Sequence, residues 1–340
     1  MTVTLPSLTL SRDIVGPALR EAVARLDDDT ARVLSYHLGW CDADGAPAPA
    51  GGGKSVRPAL TLLAAEAVGG PREEAVPGAV AVELVHNFSL VHDDLMDRDA
   101  SRRHRPTVWA VWGDATAVLA GDAMLSLAHE VLLDCGSPHT VAASRVLAVA
   151  TRELIRGQMQ DVAFEQRDDV TLDQCLAMAD GKTGALLDAA AGVGALMGGG
   201  APDVVDAMST YGRNVGMAFQ LVDDLLGIWG SPEVTGKPVY SDLRSCKKSL
   251  PITWAVQNGG SAGRELAHWL SASYGPQGPS EAQLCEAAAL VERGGGREWA
   301  AKEAGRRARL AEEALAHPGV AVSSRDELVG LARFIVEREA

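Results

Sequence analysis

The sequence predicts an all-α fold, and three features carry that expectation. Apolar residues recur at spacings of three and four, as in Leu119, Ala123, Leu127 and Val131, which is the period of one helix face. The chain is rich in Ala and Leu and only 4% aromatic. Alternating β-branched stretches of the strand kind are nearly absent. The clearest interruptions are Gly- and Pro-bearing: Asp42–Gly53, Gly69–Pro71, Gly198–Pro202, Gly230–Cys246 and Gly275–Pro279. None of them has the character of a flexible linker, and no repeat of fixed period is present. One domain over residues 1–340 is expected, with residues 1–10 disordered.

Composition narrows the function. Of 340 residues, 47% are hydrophobic, enough for a large core and too many for a disordered chain. Gly (36) and Pro (16) are abundant but aperiodic, which excludes a collagen-like chain. The 31 basic and 45 acidic residues give a net charge of −14, the wrong sign for a nucleic-acid partner. Five scattered cysteines without zinc-ligand spacing speak against a disulfide framework and for a reducing compartment, the cytoplasm. The first residues lack a basic segment followed by an apolar one, so no signal peptide is read. No apolar stretch reaches about 18 residues without a charge, so no transmembrane segment is expected.

Two acidic clusters interrupt apolar helical sequence. In Glu83–Asp97, Asp93 and Asp97 lie four apart and share a helix face; Asp94 is adjacent and His86 stands two turns earlier. Like charges at that spacing repel, so a positive partner is expected. In Met217–Gly227, the positions Gln220, Asp223, Asp224 and Gly227 follow i, i+3, i+4, i+7. One Asp pair alone reads most simply as a solvated stripe. Two such pairs in apolar helices point to hard oxygen ligands for Mg²⁺, which binds few carboxylates and takes the rest of its shell from water and phosphate. Cations flank both clusters: Lys54 and Arg57 before the first, Arg98, Arg102, Arg103 and Arg105 after it, and Lys182, Lys237, Lys247 and Lys248 around the second. Any one alone reads equally well as a surface counter-charge. Together they suit an anion, with Arg as a bidentate fork and Lys as a point charge. Gly53-Lys54-Ser55 echoes a nucleotide-binding phosphate loop, but no strand precedes it.

Taken in order, these elements resemble the trans-isoprenyl diphosphate synthases, or polyprenyl synthetases, most of all those making geranylgeranyl diphosphate. Gly53-Lys54-Ser55-Val56-Arg57-Pro58 resembles the family's Gly-Lys-x-x-Arg-Pro element, and Asp93–Asp97 with Arg102-Arg103 its first Asp-rich motif. Gly121-Asp122, Gly157-Gln158 with Asp161, and Lys182-Thr183 resemble its intervening landmarks, and Phe219–Asp224 its second Asp-rich motif. Gly236-Lys237, Asp242-Leu243 and Lys247–Pro251 resemble the loop that follows. The resemblance implies an isoprenoid synthase-type bundle of long helices around a central cavity, with the Asp clusters facing across its mouth, and a homodimer. It implies three Mg²⁺ ions with substrate bound, two on Asp93 and Asp97 and one on Asp223, with Asp94, Asp224 and Gln220 in support. Arg102, Lys182 and Lys237 would hold an allylic diphosphate. Lys54, Arg57, His86 and Arg103 would hold isopentenyl diphosphate, while Thr183 and Gln220 would line the reacting end of the allylic chain. One departure stands out: many relatives have Asp where this chain has Gly227. The expectation is a weakened water-mediated metal contact, with only a modest effect of Gly227→Asp.

The implied reaction is head-to-tail condensation. The allylic C–O bond ionises as diphosphate leaves with the electron pair, the isopentenyl double bond attacks the cation, and a proton is lost to the released diphosphate. No covalent nucleophile is needed, so His92 reads as a packed residue. Phe88 and Ser89, one turn before Asp93, would form the cavity floor. A ring beside a small residue, with no insertion between Asp94 and Asp97, points to geranylgeranyl diphosphate (C20); farnesyl diphosphate (C15) and longer chains are alternatives. A terpene cyclase on the same scaffold would have no use for Lys54, Arg57, His86 and Arg103. A phosphohydrolase built on His92-Asp93 would want more His ligands. A non-catalytic partner subunit would have lost acids or arginines. The segment after Pro251 reads as structural, with Arg306-Arg307 solvated.

Overall fold

The computed structural model describes residues 5–48, 55–232, 238–272 and 278–336; Lys54, Gly236 and Lys237 lie outside them. The all-α expectation holds, with the chain 77% helical. The sheet among the described residues is one short hairpin, β1 (Ser101–Arg102) with β2 (Arg105–Pro106), plus an isolated bridge between Cys41 and Pro47. Two compact units are present, one built from residues 1–149, 189–209 and 315–330, the other from 150–188, 210–314 and 331–340.

The first unit contains α1 (Pro6–Val23), α2 (Asp28–His37), α3 (Val56–Ala67), α4 (Val76–Met96), α5 (Val108–Trp112) and α6 (Asp114–Asp134). Residues 6–10 correct the expected disorder of the N-terminus. Pro6 supplies the fixed φ that suits a first helical turn, and Leu8 and Ser11 are buried. In α2 the Asp27 side chain accepts from Thr30 N, and Asp28 and Asp29 sit in the first turn, where helix dipole and carboxylate attract. Leu60, Leu84, Val85, Met124 and Leu127 form its core. Helices α4 and α6 approach so closely that a Cβ on Gly121 would lie 2.1 Å from His92 Nε2. Helix α6 has the length and apolar content of a membrane-crossing helix, but Asp122 and Glu130 interrupt it, as the sequence reading required. Its outer face leaves Val118, Leu119 and Leu133 exposed.

The second unit draws on α7 (Thr140–Glu165), α8 (Leu172–Ala179), α9 (Ala185–Met197), α10 (Pro202–Trp229), α11 (Ser241–Arg244), α12 (Leu250–Asn258), α13 (Gly260–Leu270), α14 (Glu281–Arg293), α15 (Gly296–Ala314) and α16 (Val322–Val336). Helices α7, α9, α10 and α16 contribute residues to both units. Reciprocal capping boxes, Thr171 with Gln174 and Ser280 with Gln283, start α8 and α14. The inner face of α10, Leu221, Val222, Leu225 and Leu226, packs on Phe164, Cys175, Met178, Leu250, Ala300 and Ala304. Ile228, Leu243, Ile252, Leu266, Leu284 and Val291 form a second cluster, so the segment after Pro251 buttresses the helix that bears the second acidic cluster.

Candidate active site

In the first unit the site is built on the last two turns of α4. The helix ends because Arg98 takes a left-handed φ of 56°, and Asp97 N closes the last turn on Asp93 O at 2.8 Å. Asp93 is half-buried, Asp97 exposed and Asp94 buried. Asp94 Oδ1 accepts a 2.7 Å bond from Arg102 Nε. Burial pushes the Asp94 carboxyl up to about 6, and Arg102 offsets only part of that push. Asp94 therefore positions Arg102. The hairpin turn places Arg103 and His104 at φ 52° and 61°, a conformation that usually calls on Asn or Gly; the strain sits on one of the residues expected to hold isopentenyl diphosphate. Arg105 anchors the hairpin to α2, donating to Tyr36 O and Cys41 O with its guanidinium 4.3 Å over the Tyr36 ring.

Arg57 donates to His86 Nε2 at 3.2 Å. Since arginine has no acceptor, His86 is the neutral partner with its proton on Nδ1. Burial, then the charges of Arg57, Arg103 and Arg102, hold His86 well below its usual range. Next to it, His37 Nε2 donates to Asn87 Oδ1 (3.1 Å), and Asn87 Nδ2 bonds Glu83 Oε1 (3.2 Å). Burial and the charges of Arg103 and Arg102 push His37 down to about 3. Glu83 is half-buried; burial pushes its carboxyl up, and the charges of Arg57 and Arg103 oppose that push. Tyr36, His37, Asp94, Arg102 and Arg103 line one cleft. Its electrostatics, clustered guanidiniums beside the neutral His37 imidazole, suit an anion. Ser89 Oγ donates to His86 O. Phe88 is buried edge-on to His92, ring centroids 4.9 Å apart, and His92 Nε2 meets Val118 O at 3.0 Å, so His92 sits in packing contacts.

In the second unit a π-helical turn, Asp180–Gly184, interrupts the helical path between α8 and α9. Such turns widen the helix locally and cluster at functional sites. This one sets Lys182 and Thr183 side by side. Gly157 makes the approach possible, since a Cβ there would lie 2.3 Å from Lys182 N. Lys182 Nζ donates to Asp161 Oδ2 at 2.7 Å. Thr183 Oγ1 donates to Gln220 Oε1 (2.6 Å), and Gln220 Nε2 donates to Asp224 Oδ1 (2.7 Å). Asp224 Oδ2 in turn accepts from Leu250 N at the start of α12 (2.9 Å). Burial, then the Asp242 charge, push Asp224 up to about 7 against the pull of Lys247. Asp223 is half-buried.

Sequence reading singled out neither His37, Glu83 and Asn87 nor the role of Asp161, Lys247 and Asp242. Glu83 carried a usable signal, a lone acid inside the apolar run Val80–Val85. His37 carried none, because its partner comes from another helix. As to the implied metal, no three His, Cys, Asp or Glu side chains among the described residues form a ready cage. The acids Asp93, Asp97 and Asp223 offer a few reachable oxygens and no soft donor, which fits Mg²⁺ completing its shell with water and phosphate.

The architecture is the all-α isoprenoid synthase fold. The crystal structure of a polyprenyl synthetase from Streptomyces coelicolor A3(2) matches it with a TM-score of 0.91 at 49% identity, over 97% of this chain and 98% of that one. The polyprenyl synthetase profile matches residues 47–289. A (2E,6E)-farnesyl diphosphate synthase of Mycobacterium bovis is 60% identical over 337 residues, 99% of this chain and 94% of that protein. A geranylgeranyl diphosphate synthase of Mycobacterium tuberculosis is 41% identical over 336 residues, 98% of this chain and 93% of that protein. The chain belongs to the polyprenyl synthetase family, and it is a trans-prenyltransferase.

Proposed function

We propose that this prenyltransferase condenses isopentenyl diphosphate with allylic diphosphates and releases farnesyl diphosphate. The observation that carries the C15 product is the 60% identity with a farnesyl diphosphate synthase across 99% of the chain. The geranylgeranyl product expected from the sequence becomes the second reading. Phe88 beside Ser89, and the uninterrupted spacing from Asp94 to Asp97, favour it.

In this reading Lys54, Arg57, His86 and Arg103 bind isopentenyl diphosphate, and Arg102, Lys182 and Lys237 bind the allylic diphosphate. Asp93, Asp97 and Asp223 would hold Mg²⁺, three ions in the loaded site. When bound, Mg²⁺ neutralises charge building on the departing diphosphate. Asp94 fixes Arg102, and Asp224 fixes the Gln220 amide that orients Thr183. The two units serve one catalytic domain; the matched span 47–289 runs through both. The partner is a second copy of the chain, docked on the apolar face of α6, and no nucleic acid is involved. Five free cysteines suit a reducing cytoplasm.

A product assay with isopentenyl diphosphate and dimethylallyl, geranyl or farnesyl diphosphate, with and without Mg²⁺, tests this. Farnesyl diphosphate accumulating and serving poorly as a starter is expected. Its efficient conversion to C20 would move the assignment to the second reading. Hydrocarbon release from geranylgeranyl diphosphate alone, without condensation, would make the protein a cyclase.

A further inference from the structure

The π-helical turn Asp180–Gly184 is tied to α10 at both of its ends. The inner tie is the 2.6 Å bond from Thr183 Oγ1 to Gln220 Oε1. The outer tie is an ion pair that the reaction itself does not use. Arg213 Nε donates to Asp180 Oδ1 at 2.7 Å, and Arg213 Nη2 donates to Asp180 Oδ2. Arg213 Nη1 also stands 3.9 Å from Oδ2 of Asp188, in the first turn of α9. One guanidinium therefore spans the turn, meeting one acid where the turn begins and another just past its end. Arg213 and Gln220 are seven apart on α10, two turns along one face.

Asp180 is the residue that opens the wide turn. Its carbonyl accepts from Ala185 N, five residues on. Close packing leaves the turn little room. A Cβ on Gly184 would lie 3.0 Å from Asp180 Oδ1, and a Cβ on Gly216 would lie 2.9 Å from Gly184 Cα. The two glycines let α10 meet the turn backbone to backbone. A π turn carries one residue more than an α-helical path, and it persists where surrounding contacts hold it. Relaxation by one residue would rotate Lys182 by about 100°, the step between successive residues of an α-helix. The Arg213 side chain is 55% exposed and that of Asp180 25%, and a single-point ion pair so exposed stabilises little. A bidentate fork fixes direction as well as distance, and direction is what Lys182 needs.

We infer that Asp180 and Arg213 are positioning residues for the allylic diphosphate: their pair holds the π turn in the register that aims Lys182 and Thr183. The inference rests on the reading above, in which Lys182 holds that diphosphate and Thr183 lines the reacting end of its chain.

The test is steady-state kinetics of the full chain, with geranyl diphosphate and isopentenyl diphosphate varied in turn and thermal unfolding followed alongside. Arg213→Gln should lower kcat/KM for geranyl diphosphate about 10- to 100-fold, the scale of displacing a reacting group by about 1 Å. KM for isopentenyl diphosphate should change less than about threefold. Asp180→Asn, which removes the charge and keeps the shape, should do the same. The double variant Asp180→Asn/Arg213→Gln should be no worse than the worse single variant, because both changes remove one interaction. A loss below about threefold in Arg213→Gln overturns the inference, as do equal rises in both KM values or losses that add in the double variant. Lys182→Gln separates this inference from the reading beneath it. If Lys182→Gln leaves KM for geranyl diphosphate at the wild-type value, the assignment of Lys182 falls and the inference with it. If Lys182→Gln raises that KM and Arg213→Gln leaves kcat/KM unchanged, the inference alone falls.

Discussion

The Asp161 carboxylate accepts a 2.7 Å hydrogen bond from Lys182 Nζ while Lys247 Nζ stands 3.6 Å away. One largely buried anion serves two ammonium groups, so the trio carries a net positive charge. Burial opposes the ionised carboxylate, but Lys247 and Lys182 outweigh it and hold Asp161 below the usual carboxylate range. The two cations are held at fixed places beside one another, a geometry that suits an incoming anion.

Asp161→Asn should therefore damage recognition of the allylic diphosphate selectively. A hydrogen bond to a charged group contributes about 1.5–3 kcal/mol, so KM for the allylic substrate should rise about 10- to 100-fold. KM for isopentenyl diphosphate should change less than about threefold, and Asp161→Glu should restore part of the loss. Steady-state kinetics with each substrate varied in turn checks this; equal rises in both KM values would place Asp161 in general folding instead.

The two acidic clusters were legible because Asp93, Asp94, Asp223 and Asp224 interrupt apolar helical sequence, and residue type alone carries that contradiction. The order of the flanking cations was legible for the same reason. The π-helical turn at Asp180–Gly184 was not, because its cause is tertiary: Gly157 and Gly181 let α7 press against the turn. The bonding of His37 to Asn87 joins residues from two helices, which no local period encodes. Gly227 was read as a deficit, since the Asp242 carboxylate that fills the space beside it lies on another element and becomes visible only in the packing.

Asp224 should make stability depend on pH. Burial and the neighbouring Asp242 charge push its carboxyl up to about 7, well above the ordinary aspartate range, so the folded state binds the proton more tightly. The stability this contributes is complete below about pH 4 and is lost as pH rises through about 7. In metal-free protein, the unfolding temperature of Asp224→Asn should gain on that of wild type between pH 5 and pH 8, measured at about half-unit steps. A difference that does not vary with pH would mean that Asp224 is already ionised throughout.

Phe88 is 5% exposed and packed edge-on against His92, and Ser89 carries little bulk beside it. If this ring sets the cavity floor, Phe88→Ala should shift product toward longer prenyl chains, by at least one isoprene unit in chromatography of the dephosphorylated alcohols. Large-to-small core changes of this kind cost about 3–5 kcal/mol of stability, so the assay belongs at reduced temperature with folding verified. An unchanged product distribution from folded protein rejects the role.

Leu119 is 66% exposed and Leu133 60% exposed on α6, with Val118 beside Leu119 at 41%. A face of that kind on a soluble helix marks an interaction surface more often than a solvated one. In a two-fold dimer each substitution acts twice. Burying a leucine contributes about 1.5–3 kcal/mol, so Leu119→Glu, which adds the cost of desolvating a charge, should weaken association by about a thousandfold or more. Light scattering should then report a wild-type mass of twice the 35.5 kDa chain and a single-chain mass for the variant at micromolar concentration. A variant that stays dimeric would move the interface off this face of α6, and a monomeric wild type would remove the dimer altogether.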